Sequence, residues 1–299
     1  MTPVPGHRES APRAGRAGAS LHAEVLGIGP RVVLAHGFTQ TGRLWNSLHE
    51  RLAEDHQVVL VDMPGHAGSS HVAADLTEGA HLLGEAGGQG TYVGYSMGAR
   101  FCLHLALGRP DLVRSLVLIS GTGGLELPNE RAARRATDEA LAFELDPPPH
   151  MDDAAGLRDV RQARLDAFLK RWLDNPLFAG VAPEANAFEE RRRNTGPGLA
   201  SSLRLAGTGT QLPLWDRLGR LAMPVLVVTG EYDDKFTDLG RRLVASIGDN
   251  ASQMVVPRTG HSPHLQNPEL VTELIRAHLD PPGRPARPAP PGSSPVVDG

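Results

Sequence analysis

Thr91-Tyr92-Val93-Gly94-Tyr95-Ser96-Met97-Gly98-Ala99-Arg100 joins an apolar run to a helix-forming one. Residues Thr91 to Gly94 are short, apolar and aromatic enough for a buried strand, and Met97 to Leu107 carry the apolar spacing of a helix. Between them stands Gly-x-Ser-x-Gly. A strand, this turn and a helix in that order hold a serine on a strained reversal, with its hydroxyl at the edge of a sheet. Gly94 and Gly98 leave room where a side chain would collide as the backbone turns back.

The rest of the chain has the rhythm that such a turn needs. Apolar runs at Arg31 to Ala35, Gln57 to Val61, Arg114 to Ser120, Val225 to Thr229 and Gln253 to Val256 read as further strands. Helical patterns fall between them, at Leu44 to Asp55 and from Pro268 to Leu279, where the proline suits a first helical turn. The alternation predicts an α/β fold, a mostly parallel sheet flanked by helices. From about Gly121 to Leu221 the strand rhythm stops and Arg-rich helical segments take over, as expected of a helical cap inserted over the carboxyl ends of the strands. Residues 1–20 read as a disordered extension without a secretory signal, 21–280 as the folded domain and 281–299 as a Pro-rich disordered tail. No internal repeat is visible.

Composition narrows the class further. A chain of 299 residues with 40% hydrophobic content and a net charge of −4 suits an ordinary soluble globular protein. The positive charge is scattered and shows no basic stripe interleaved with aromatics, so nucleic acid is not an expected partner. No apolar run is long enough to span a bilayer, and the cytoplasm is the expected location. The single cysteine, Cys102, cannot form an internal disulfide and reads as a small core residue.

Three loops complete a constellation with Ser96. His36-Gly37-Phe38-Thr39 follows the first strand, where a backbone amide could face the serine and, with the amide of Met97, form an oxyanion hole. Gly230-Glu231-Tyr232-Asp233-Asp234 follows a later strand and offers a carboxylate to orient an imidazole. Among Glu231, Asp233 and Asp234, the turn favours Asp233, with Asp234 and Lys235 as a solvated pair. Gly260-His261-Ser262-Pro263-His264 precedes the last helix; His261 is placed to reach the serine, and His264 competes one turn on. The order Ser, acid, His is that of the α/β-hydrolase fold, unlike the orders of the chymotrypsin and subtilisin types. No metal or cofactor is called for.

Over about residues 30–280 the chain also resembles a particular family, the 2-succinyl-6-hydroxy-2,4-cyclohexadiene-1-carboxylate synthases (MenH). The resemblance rests on HGFTQTG (36–42), DMPGHAGSS (62–70), GYSMGAR (94–100), GEYDDKF (230–236) and PRTGHSPHLQNPE (257–269). In the cap it continues through ERAARRATD (130–138), WLDNPLF (172–178) and RRRNTGPGLASSL (191–203), which are the discriminating stretches. It implies a lyase of menaquinone biosynthesis in which a triad of Ser96, His261 and Asp233 abstracts a proton and pyruvate is expelled. The amides of Phe38 and Met97 would then hold the developing oxyanion.

Arginines suit the polycarboxylate substrate that this family implies. Arg100 lies one helical turn beyond Ser96 on the same face, and Arg134 and Arg191 could add positive charge from the cap. The alternative for each is a solvated or ion-paired side chain, with Glu130 and Glu190 as nearby acids; Arg192 and Arg193 read as surface. Tyr95 and Trp172 could pack against substrate, although a Trp in a cap helix also suits its core. Other readings of the same triad are an esterase or a carbon-carbon bond hydrolase, and a non-catalytic binding protein keeps the fold alone.

Overall fold

The computed structural model describes residues 19–148 and 157–280. The extension expected over 1–20, apart from its last two residues, and the tail expected over 281–299 lie outside the described residues, as does the short cap stretch 149–156.

Seven strands make one sheet: β1 (Ala23–Leu26), β2 (Arg31–Ala35), β3 (Gln57–Val61), β4 (Gly90–Tyr95), β5 (Val113–Ile119), β6 (Val225–Gly230) and β7 (Ala251–Val256). Their spatial order is β1-β3-β2-β4-β5-β6-β7. Only β1 runs antiparallel to its neighbour; all other pairs are parallel. Helices cover both sides of the sheet, and the strands accordingly carry buried apolar runs at Val32–Ala35, Val58–Val61, Leu116–Ile119 and Val225–Val228. Alternate residues divide between two layers, as a strand's period of two requires. Val33, Val59, Tyr92, Leu116 and Val227 pack with α2 (Leu76–Gly87), α3 (Met97–Gly108) and α9 (Asp234–Ile247). Leu34, Leu60, Val93, Val117 and Val228 pack with α1 (Leu48–Ala53) and α10 (Pro268–Leu279).

Between β5 and β6 the described residues are largely helical. They contain α4 (Pro128–Leu145), α5 (Leu157–Leu173), the short α6 (Pro183–Asn186) and α7 (Phe188–Arg191), and α8 (Gly196–Ala206). These helices bury a small core of their own, including Leu145, Leu165, Phe168, Leu169, Leu199 and Leu203, and Phe38 from the loop after β2 packs against it. That contact seats the helices over the carboxyl ends of β2 and β4. No helix among the described residues is long and apolar enough to cross a membrane.

Two expectations from periodicity change. The helix expected over Leu44 to Asp55 is confined to α1, because Asn46 takes a left-handed φ of 52° that ends any helix running through it. Strand β1 is additional. It has four residues, only partly buried, and lacks the apolar run that marks the central strands.

Candidate active site

Ser96 sits between β4 and α3 with φ 49° and ψ −103°, a conformation costly for any residue with a side chain. The flanking glycines make the turn possible. A Cβ on Gly98 would strike the carbonyl oxygen of Ala35 on β2, and one on Gly94 would come within 2.6 Å of the Ala99 backbone. The turn therefore lifts the serine hydroxyl off the sheet while its backbone stays close-packed.

The two other loops deliver their side chains to this hydroxyl. Asp233 caps α9, its Oδ1 accepting from the amide of Phe236 at 3.3 Å, and its Oδ2 lies 2.7 Å from His261 Nδ1. His261 Nε2 lies 3.2 Å from Ser96 Oγ. A carboxylate only accepts, so the imidazole proton belongs on Nδ1 and Nε2 is left to accept from the serine. Phe236 and Tyr95 flank the His261 ring at 4.3 and 5.5 Å, and the Ser120 hydroxyl donates to the His261 carbonyl at 2.8 Å. The competing residues lie elsewhere. Glu231 is exposed and accepts from the Arg258 amide, Asp234 is exposed at the start of α9, and His264 is buried beside Tyr95 and Trp45.

Phe38 and Met97 border the same space, and among the described residues neither backbone amide has an acceptor. Met97 opens α3, so its N–H is one of the first-turn donors that a helix cannot satisfy internally. The preceding loop is held by two buried imidazoles. His36 Nε2 accepts from the Met63 amide at 3.0 Å, and His66 Nε2 accepts from the Thr39 amide at 3.3 Å. Burial lowers the pKa of His36 to about 4 and that of His66 to about 3, so both stay neutral and able to accept.

Above Ser96 lies a cavity of about 660 Å³ between the sheet and the cap. Arg100 and Arg134 border it, as do Arg171 and Lys235, with Glu144 as the acid that pairs with Arg171. Burial and the neighbouring Arg134 lower the pKa of Arg100 to about 10, which leaves it charged at neutral pH; its Nη1 donates to the Ala206 carbonyl at 2.7 Å. Arg134 Nε donates to Asp138 Oδ1 at 2.8 Å. Trp172 forms an apolar wall with Phe38 and Phe168 at ring separations of 5.2 and 5.9 Å.

Two of the residues singled out as substrate contacts do not border this cavity. Tyr95 lies beneath His261, its hydroxyl 2.6 Å from Ser262 Oγ, where strand alternation turns it into the layer opposite the cap. Arg191 is wholly buried behind the Phe38 loop. Lys235 is exposed beside the exposed Asp234, as their adjacent charges suggest, and the first turn of α9 also places it on the cavity wall beside Phe236. Ser120 and Thr122, just after β5, also border the cavity, and no motif marks them.

Similarity to known proteins agrees with this architecture. A putative 2-succinyl-6-hydroxy-2,4-cyclohexadiene-1-carboxylate synthase of Bacillus subtilis is 31% identical over 83% of this chain and 89% of its own length. A pimeloyl-[acyl-carrier protein] methyl ester esterase of Xanthomonas campestris is 30% identical over 85% of this chain and 97% of its own. The solved structure of MenH from S. aureus superposes with a TM-score of 0.76 at 25% identity, covering 86% of this chain and 97% of that one. Residues 32–274 match the alpha/beta hydrolase family, and with a seven-stranded sheet carrying its serine at the turn after β4, the chain belongs to that family.

Proposed function

We propose that this protein is a carbon-oxygen lyase of menaquinone biosynthesis. It would convert 2-succinyl-5-enolpyruvyl-6-hydroxy-3-cyclohexene-1-carboxylate to 2-succinyl-6-hydroxy-2,4-cyclohexadiene-1-carboxylate and pyruvate, the product for which the B. subtilis relative is named. The observation that carries this reading is the charge of the cavity. Arg100, Arg134, Arg171 and Lys235 border it, against Glu144 as the single acid among the described residues, directly above the serine. Small neutral esters have no use for such a wall, whereas a substrate with several carboxylates does.

In this reading Ser96 and His261 form the base. The serine takes the ring proton that lies next to the succinyl carbonyl and is allylic to the ring double bond, and its own proton passes to His261 Nε2, with Asp233 stabilising the imidazolium through Nδ1. Negative charge moves onto the carbonyl oxygen, where the Phe38 and Met97 amides receive it. Its return through the ring forms the diene and breaks the carbon-oxygen bond to the enolpyruvyl group. That group leaves as the pyruvate enolate and is protonated to pyruvate by the proton held on His261, which restores the neutral imidazole. Arg100 and Arg134 hold carboxylates, and Trp172 with Phe38 covers the ring.

The second reading is an esterase, in which Ser96 attacks an acyl carbon; the Xanthomonas relative, 30% identical, is named for such a reaction. The two separate on one experiment. Purified protein mixed with the enolpyruvyl substrate should release pyruvate far faster than the spontaneous reaction, and Ser96→Ala should abolish the excess. Release at the spontaneous rate from a protein that cleaves simple esters would assign it to the esterases.

A further inference from the structure

The loop carrying Phe38 is held from the cap as well as from the sheet. Thr39, the next residue, has φ 67°, a left-handed conformation that a β-branched residue resists. Each of its polar groups is tied to a different side chain. Its amide donates to His66, its carbonyl accepts from Asn194 Nδ2 at 2.8 Å, and its hydroxyl accepts from Arg191 Nη1 at 2.5 Å. Asn194 also accepts from the Ala67 amide at 2.9 Å, which ties the loop after β3 into the same knot.

Arg191 is 0% exposed, and its Nε donates to the Asn186 carbonyl at 2.8 Å. Among the described residues it has no carboxylate partner. A substrate carboxylate in the cavity does not meet it, because the Phe38 loop stands between. Burying a guanidinium with no carboxylate partner is costly, which points to a use other than stability.

We propose that Arg191, with Asn194, is a positioning residue that locks Thr39 and so aims the Phe38 amide at the developing oxyanion. The inference rests on the oxyanion role given to Phe38 above. It makes the cap part of the catalytic machinery as well as the roof over the substrate, since the last helical turn of α7 then sets the geometry of a loop on the sheet.

The test uses Arg191→Gln, Thr39→Val and the double variant. Thr39→Val keeps the β-branch and the volume and removes only the acceptor. Two rates are read: pyruvate release from the enolpyruvyl substrate, and inactivation by phenylmethylsulfonyl fluoride, which carries no carboxylate but needs the same serine and amides. Each single variant should lower kcat by about ten- to hundredfold with KM unchanged, and slow inactivation by a similar factor. The double variant should be no worse than Arg191→Gln, and Arg191→Lys should recover part of the loss. A raised KM with inactivation unchanged would make Arg191 a substrate ligand and overturn the proposal. So would additive losses. If Arg191→Gln does not fold, Thr39→Val decides alone. An unaltered protein that reacts with the sulfonyl fluoride but releases no pyruvate faults the lyase reading only, and the inactivation rates still decide the loop.

Discussion

Strands β4 and β6 are buried along their whole length, whereas α4, 18 residues long, buries only Asp138, Ala142 and Leu145. Ser96 and Asp233 hang from the first kind of structure, and the ring of His261, from the loop after the edge strand β7, is packed between Tyr95 and Phe236. Arg134, Arg171 and Trp172 hang from the second. The proton-transfer groups need fixed distances of a few tenths of an ångström, which close-packed strand ends supply. Recognition of a substrate needs charges at the right place on a surface, which thinly packed helices can supply and exchange. The cap is thus the layer in which members of one fold can differ in substrate while the atoms below stay put.

Acid should separate the two layers most. His36 and His104 have pKa values lowered to about 4, and His66 and His264 to about 3, in each case chiefly by burial; all four lie in the sheet half. His36 and His66 also face each other at 5.0 Å, so neither accepts a proton easily beside the other. The folded values lie below the 6.5 of a free imidazole, so the unfolded chain takes up these protons first. Their contribution is present above pH 6.5 and is lost as the pH falls toward 4. At about 1.4 kcal/mol per unit, the combined loss is expected to reach about 5 kcal/mol or more. Denaturant unfolding at pH 7 and pH 4.5 measures it. Hydrogen exchange should place the weakening around the loops after β2 and β3, since the described cap residues contain no histidine. Equal stability at the two values, or a loss confined to the cap helices, would break the contrast.

Charge in the cap should matter to the substrate and not to the serine. Replacing Arg134 by Ala removes a guanidinium at the cavity wall and frees Asp138, whose Oδ2 is already without a partner among the described residues. A charge-assisted hydrogen bond contributes about 1.5–3 kcal/mol, so kcat/KM for the polycarboxylate should fall about ten- to hundredfold. Turnover of a neutral ester should change little. Equal losses on both substrates would mean that Arg134 acts on the triad or the fold, and not on the carboxylates.

The same division explains what could be read from the chain. Gly94, Ser96 and Gly98 announce their turn because the backbone permits few residues there, and Asp233 and His261 follow strand ends that apolar runs make visible. Sequence spacing left His264 as a rival to His261, and only packing against Tyr95 and Trp45 removes it. Cap side chains are harder to read. Their direction depends on how α4, α5 and α8 pack, and nothing local in RRRNTGPG separates a buried arginine from an exposed one. Lys235 was hidden for the same reason, as its place on the cavity wall follows from where α9 begins. The edge strand β1 has only four residues, with Glu24 interrupting its apolar ones, and its pairing with β3 is what reveals it.

The three adjacent arginines 191 to 193 give the finest form of the contrast. Arg191 is sealed behind the Phe38 loop. Arg192 bridges Asp166 on α5 and Glu189 on α7 at 2.8 and 2.9 Å, and Arg193 pairs with Glu190 at 2.7 Å. Arg192 is about one third exposed, and the carboxylate of Glu189 is mostly in water. Solvent screens such pairs, and ordering long side chains offsets much of the attraction, so Arg192→Ala should cost no more than about 1 kcal/mol of stability. It borders neither the cavity nor Thr39, so kcat/KM for the enolpyruvyl substrate should stay within about threefold of the unaltered protein, the change expected of a surface substitution. Denaturant midpoints and initial rates measure both quantities. A loss as large as that of Arg191→Gln would mean that the whole α5–α7 junction, and not one guanidinium, carries the cap's hold on the oxyanion loop.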